Sequence, residues 1–228
     1  MKYLIRKLAY NYQEGGIGGL LRKTAGYLRR TCWSEVQWLL YVRALEDGVP
    51  QVGESVKRRE LGFEALRALG YFKARAFPEG IKKRFDDGLV CHGFYADNRL
   101  ATIGWSSAEY LELEQNVRFE CPRAAGLFDF YTFQEFRSRG YYTNALLQLC
   151  VVMKKRHFES AYIAVDPRNP ASIRGIERAG FRLALRVTRR RRFGMSQLRV
   201  WALRTGDVWE PVTGGATTQA SAMNIHST

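Results

Sequence analysis

Apolar and polar positions follow two different rhythms along this chain, and the rhythm changes at glycines and prolines. Glu35 to Leu45 (EVQWLLYVRAL) is a nearly continuous apolar run, which predicts a buried strand. Residues 55 to 85 read as helices. ELGFEALRALG ends on Gly70, and Pro78 opens PEGIKKRFDDG, which Gly88 closes. LVCHGFY and LATIGWSS flank Asp97-Asn98, a hairpin signal, whereas Ala108 to Arg123 keeps neither period. Gly126 to Gln134 (GLFDFYTFQ) is an aromatic strand, followed by the basic loop RSRG, the helical run TNALLQLCVVMKKRHF and the strand AYIAV. Asn169 to Ala179 reads as a helix with Asn169 as cap, Pro170 in the first turn and Gly180 past the end. RLALRV and SQLRVWAL are two closing strands around Arg189 to Arg192. Strands and helices in mixed order predict an α/β fold.

The two ends break this pattern. In residues 1–32, leucines and isoleucines recur at near-helical spacing, interrupted by Gly15-Gly16 and Gly18-Gly19, among seven cations and one acid, Glu14. That predicts a basic, amphipathic, helical N-terminal extension. It either lies on an anionic membrane face through residues 1–30 or packs on the domain that follows or on a partner. Residues 33–210 form the folded domain. The tail 211–228 lacks periodicity and reads as disordered.

Charge narrows the list of partners. The 36 Lys and Arg against 22 Asp and Glu leave +14 over 228 residues, which favours phosphorylated ligands, nucleic acid or an anionic membrane face. No apolar run reaches the roughly 20 residues of a membrane span. Four scattered cysteines (Cys32, Cys91, Cys121, Cys150) and three histidines show no metal-ligand spacing, so no metal is expected. The first residues are too charged for a secretory leader, and the thiols read as reduced ones of a cytoplasmic protein.

The informative constellation is a strand, then Arg137-Ser138-Arg139-Gly140-Tyr141-Tyr142, then a helix. A turn feeding a helix presents unpaired amides at the positive end of the macrodipole, a seat for phosphate oxygens. Gly140 lets the backbone come close, and Arg137 and Arg139 add charge. Neither a Walker loop nor a GxGxxG fingerprint is present. Downstream stands VDPRNPASIRGIERAGF, Val165 to Phe181.

Together these two segments resemble the GNAT superfamily of acyl-CoA-dependent N-acyltransferases. Arg137, Gly140 and, imperfectly, Tyr142 match its Arg/Gln-x-x-Gly-x-Gly/Ala motif. Asn169, Ser172, Gly180 and Phe181 match the second motif. The resemblance implies a mixed, mostly antiparallel central sheet with splayed parallel strands, flanked by helices. Gly126 to Gln134 would part from Ala161 to Val165. Pantetheine would lie in that opening against the backbone of Tyr131, Thr132 and Phe133. The pyrophosphate would lie on Arg137, Ser138, Arg139, Gly140, Tyr141, Tyr142 and Thr143, and Asn169 and Ser172 would touch the pantetheine arm. Acetyl-CoA or another acyl-CoA is the implied co-substrate, and a small-molecule amine the implied acceptor.

Three departures mark the match. Tyr142 stands where the family has Gly or Ala. Ile176 occupies the position of a frequent Tyr acid, four before Gly180. Gly126 aligns with the glutamate base of the histone-acetylating branch. The nearest surviving carboxylate is Asp129, a candidate base; Tyr142 and Tyr141 are candidate acids, and Glu135 reads as a structural partner of Arg137. SIRGIERAGF and RSRGYYTNALL look like a bacterial subgroup often found with surface-polysaccharide and amino-sugar pathways; an anionic amino sugar, on a nucleotide or lipid diphosphate, would suit the +14 charge, while protein lysine, aminoglycoside and small-polyamine acceptors stay open. The alternative is a non-catalytic GNAT-fold module that holds CoA or RNA. Nucleic acid is not favoured, because no RNA-binding motif accompanies the arginines.

Overall fold

The structure, a computed structural model, describes residues 33–46, 56–69, 78–114, 117–192, 195–204 and 208–211. The expected helical extension and the tail beyond Pro211 lie outside the described residues. Among the described residues nine strands form one sheet: β1 (Trp33–Ala44), β2 (Val56–Leu61), β3 (Val90–Ala96), β4 (Arg99–Glu114), β5 (Val117–Thr132), β6 (Ser160–Val165), β7 (Arg182–Arg192), β8 (Met195–Arg204) and β9 (Val208–Pro211). Their order is β2-β3-β4-β5-β6-β1-β7-β8-β9. Every pairing is antiparallel except that of β5 with β6. The helices are α1 (Phe63–Ala68), α2 (Pro78–Asp86), α3 (Tyr141–Lys155) and α4 (Pro170–Arg178).

The first strand among the described residues is interior. β1 lies between β6 and β7, antiparallel to both, with Leu39 opposite Val165 and Leu40 opposite Leu185. Burial on both faces explains why Glu35 to Leu45 is apolar without alternation. Its Arg43 is buried, and Nη1 donates to the Ala179 carbonyl at the end of α4. A cation there meets the negative end of the helix dipole.

The two larger hydrophobic clusters among the described residues lie on opposite sides of the sheet. The first gathers Leu66, Ile81, Trp105, Phe128 and Val187 around α1 and α2. The second gathers Leu146, Leu149, Met153, Ile163 and Ile176 under α3 and α4. Leu146, Leu149 and Met153 recur at three and four residues, so one stripe of α3 supplies that core.

Three expectations need correction. Val56–Leu61 is a strand, not part of a helix; it is the sheet's edge, where the charged run KRRE costs little. Arg189 to Arg192 does not lie between the two closing strands but is the end of β7. Arg189 is buried over the Trp38 ring at 5.9 Å, and Arg190 pairs with Glu35 at 2.7 Å. Pro211 is the last residue of β9, opposite Trp201.

Ala108 to Arg123 shows no clean period because its hairpin bends back at two left-handed residues, Glu109 (φ 59°) and Arg123 (φ 59°). The Tyr110 carbonyl then sits against Gly126, where a Cβ would collide with it. Phe119 reaches Tyr162 of β6 at 6.1 Å, and Arg118 reaches Asp87 beyond α2 at 2.8 Å.

Candidate functional site

β5 and β6 run parallel through Ala124↔Ser160 to Leu127↔Ile163, and their pairing stops there. β5 continues to Thr132 on β4 alone, while Ala164 and Val165 stay with β1. Where they part, Gly104 faces two residues, Asp129 and Phe130, and Asp129 has φ 50°. This β-bulge turns the upper part of β5. Phe133 N–H is spent on the Ala101 carbonyl of β4. By strand alternation Thr132 turns its N–H and C=O away from β4, towards the opening. Of Tyr131, Thr132 and Phe133, then, Thr132 offers backbone groups there. Arg137 Nε already donates to its carbonyl at 3.1 Å.

The loop after β5 is a 3-10 turn, Gln134–Phe136, followed by two left-handed residues, Ser138 (φ 60°) and Gly140 (φ 79°). Gly140 caps α3, and its carbonyl accepts from Asn144 at 3.0 Å. The amides of Tyr141, Tyr142 and Thr143 precede the first intrahelical donor and point outward along the axis. Arg137, Ser138, Arg139 and Gly140 are exposed beside them. Glu135 pairs with Arg99 at 3.0 Å and not with Arg137, whose guanidinium stacks on Tyr131 at 5.7 Å. Phe136 is buried against Tyr141 at 5.5 Å and fastens the loop.

Tyr142 does not fill the space in front of those amides. Its ring turns back onto Gly175 of α4, where a Cβ would stand 2.6 Å from it, and meets Phe130 at 5.4 Å. Burial pushes its hydroxyl well above the ordinary tyrosine value, so Tyr142 holds its proton as part of the packing. Thr143 Oγ1 donates to the Gly175 carbonyl at 3.2 Å and ties α3 to α4. Asn169 Oδ1 accepts from Ser172 N–H at 3.1 Å, a helix cap at the top of β6. Ile176 is fully buried in the core and presents nothing to the opening.

The acid–base groups lie on the α2 side. Arg84 of α2 pairs with Asp129 at 2.7 Å and reaches Glu112 of the bent hairpin at 3.5 Å. It also lies over the Trp105 and Phe128 rings at 5.1 and 5.4 Å. Burial pushes the Glu112 carboxyl above its usual range, against the pull of Arg84 and Arg118. Trp105 Nε1, Tyr110 Oη and Glu112 Oε2 are buried without a hydrogen-bond partner among the described residues. The sequence reading missed Arg84 and Glu112, since only the bends at Glu109 and at Asp129 bring them together. Among the described residues no three His, Cys, Asp or Glu gather as a metal-ligand set, and no helix is long and apolar enough to cross a membrane.

The sequence model of the acetyltransferase (GNAT) family matches residues 63–181. The fold is similar to a GNAT-family protein from Novosphingobium aromaticivorans, with 20% identity, a TM-score of 0.50, and coverage of 68% of this chain and 63% of that one. A GNAT-family acetyltransferase from Colwellia psychrerythraea gives 17% identity and a TM-score of 0.51, over 73% of this chain and 60% of that one. An X-ray structure of a Drosophila protein gives 12% and 0.52, over 78% and 58%. At these identities the likeness is one of fold. In each case this chain spans less than two thirds of the other's length. No curated protein matches the chain.

Proposed function

Because the chain belongs to the acetyltransferase (GNAT) family, we propose that it transfers an acyl group, acetyl, from acyl-CoA to a primary amine. The observation that carries this reading is the parting of β5 from β6 beyond Leu127 and Ile163, directly beside the exposed amino end of α3. In it, pantetheine adds to the open edge of β5 at Thr132, with Asn169 and Ser172 across the opening. The pyrophosphate meets the amides from Arg139 to Thr143 and the charges of Arg137 and Arg139. The amine nitrogen attacks the thioester carbon, the C–S bond breaks, and the nitrogen's proton passes to Asp129, directly or through one water. With Ile176 in place of a tyrosine, the thiolate leaves unprotonated or takes a proton from water; a thiol pKa of roughly 8.5 makes it a tolerable leaving group.

An anionic amino sugar, carried on a nucleotide or lipid diphosphate, suits the +14 charge. Residues 1–30 would bring the enzyme to a lipid-borne acceptor at the cytoplasmic membrane face. One observation favours a second reading, a CoA-holding module without turnover: the complete burial of Ile176 removes the usual acid. Free-thiol release from acetyl-CoA, followed with glucosamine, a nucleotide-linked amino sugar and a polyamine, separates the two. Amine-dependent thiol release supports the enzyme. CoA binding with no release for any amine supports the module.

A further inference from the structure

A cavity of about 220 Å³ lies between the start of β3, β4 and the last turn of α3, away from the opening between β5 and β6. Val90, Ala108, Met153 and Phe158 give it apolar walls, and Ser106 and Arg156 give it polar ones. It is smaller than the roughly 300 Å³ at which drug-sized pockets begin. Behind it runs a buried polar chain. Arg58 Nη1 lies 3.0 Å from His92 Nδ1, and His92 Nε2 lies 2.8 Å from Ser106 Oγ. His92 is fully buried and Ser106 is 2% exposed.

The direction of this chain follows from what each group can do. A guanidinium only donates, so Nδ1 accepts and the imidazole's proton sits on Nε2. His92 stays neutral, because burial, then Arg58 and Arg156, push its pKa down to about 3. Nε2–H therefore donates to Ser106 Oγ. A serine nucleophile would need the opposite direction, so this is no hydrolytic dyad. The hydroxyl hydrogen of Ser106 is left to donate elsewhere, and no other hydrogen bond engages it among the described residues. Alternation along β4 turns Ser106 away from the Trp105 face and towards α3, where the cavity lies. Glu60 pairs with both Arg58 (3.2 Å) and Arg156 (2.9 Å), so among the described residues two cations share one acid.

We infer that this cavity binds a small carboxylate monoanion with a short aliphatic chain. One carboxylate oxygen accepts Ser106 Oγ–H, the charge faces Arg156, and the chain lies against Val90, Met153 and Phe158. The inference is independent of the acyl-transfer reading.

Butyrate titrated into the ¹⁵N-labelled full chain tests it, with inorganic phosphate as the competing anion. The expected result is one saturable curve for the Ser106, Arg156 and Phe158 amides, with the Gly140 loop unmoved. Arg156→Gln should weaken butyrate at least about tenfold, and Ser106→Ala by a similar factor, as for a hydrogen bond to a charged group. If Ser106→Ala fails to fold, Arg156→Gln carries the test, since its side chain is exposed. Saturation by phosphate but not butyrate, unchanged affinity in Arg156→Gln, or no saturable shift overturns the inference; the last means that the cavity holds water only.

Discussion

On the α3 face the groups proposed to hold a coenzyme are backbone amides, set by dihedral angles: Gly140 at φ 79°, Ser138 at φ 60°, and the capped start of α4. On the α2 face the proposed proton chemistry rests on long side chains that hold one another. Arg84 is shared by Asp129 and Glu112, and Arg118 by Asp87 and the Tyr110 ring at 4.5 Å. Amides fixed by a helix need no reorganisation when an anion arrives. Side chains joined by ion pairs carry a net charge that answers to the ligand and to pH. The first arrangement suits an invariant phosphate, the second an acceptor that differs between enzymes.

The largest effect expected from breaking this contrast is at Gly126, the hinge of the α2 face. Gly126→Val drives a side chain into the Tyr110 carbonyl and unseats the hairpin that carries Glu112. Chemical denaturation should show a loss of about 3 kcal/mol, the upper range for overpacking. A loss within the error of the wild-type value would mean that the hairpin is not wedged there.

Next comes the base. Asp129→Asn should lower the acyl-transfer rate about 100-fold at neutral pH with acetyl-CoA affinity unchanged, and the deficit should shrink towards the amine pKa. Full activity at pH 7 would make Asp129 only the partner of Arg84, and Glu112 the next carboxylate to test.

His92 gives a pH signature on the α3 side. Its folded pKa, about 3, lies below the ordinary 6.5, so the unfolded chain takes up the proton first. The contribution is complete above pH 6.5 and is lost as pH falls towards 3, at up to about 1.4 kcal/mol per unit. Comparing wild type with His92→Gln between pH 6.5 and 5 isolates it. Parallel curves would refute a neutral buried imidazole.

Smaller effects belong to the cap and to Tyr142. Asn169→Ala should cost about 1 kcal/mol by loss of the bond to Ser172 N–H, read from the thermal midpoint. Tyr142→Phe keeps the ring on Gly175 and should change acyl transfer less than about twofold. A large rate loss there would restore the hydroxyl to the chemistry.

The same contrast explains what the sequence revealed. Asn169-Pro170, Gly180 and the RSRG loop act within a few residues, so the caps of α3 and α4 are legible in the sequence. β1 was legible as a buried strand, but its place between β6 and β7 was not, because no local pattern encodes which neighbours a strand takes. The bends at Glu109, Arg123 and Asp129 use non-glycine left-handed residues, which carry no turn signal. Those at Glu109 and Arg123 erase the period of Ala108 to Arg123, and those at Glu109 and Asp129 hide the meeting of Arg84 with Glu112. VKRREL carries no strand signal because an edge strand can be charged on both faces.

The proposed acyl transfer requires coenzyme binding at the amino end of α3. Calorimetric titration of the full chain with acetyl-CoA at low salt, beside Gly140→Trp, tests it most directly. Gly140 at φ 79° has open space around it, so the variant should lose no more than about 1–3 kcal/mol of stability to backbone strain. The expected result is micromolar, salt-weakened binding to wild type and at least about tenfold weaker binding to the folded variant. No heat with wild type, or equal affinity in both proteins, would contradict it.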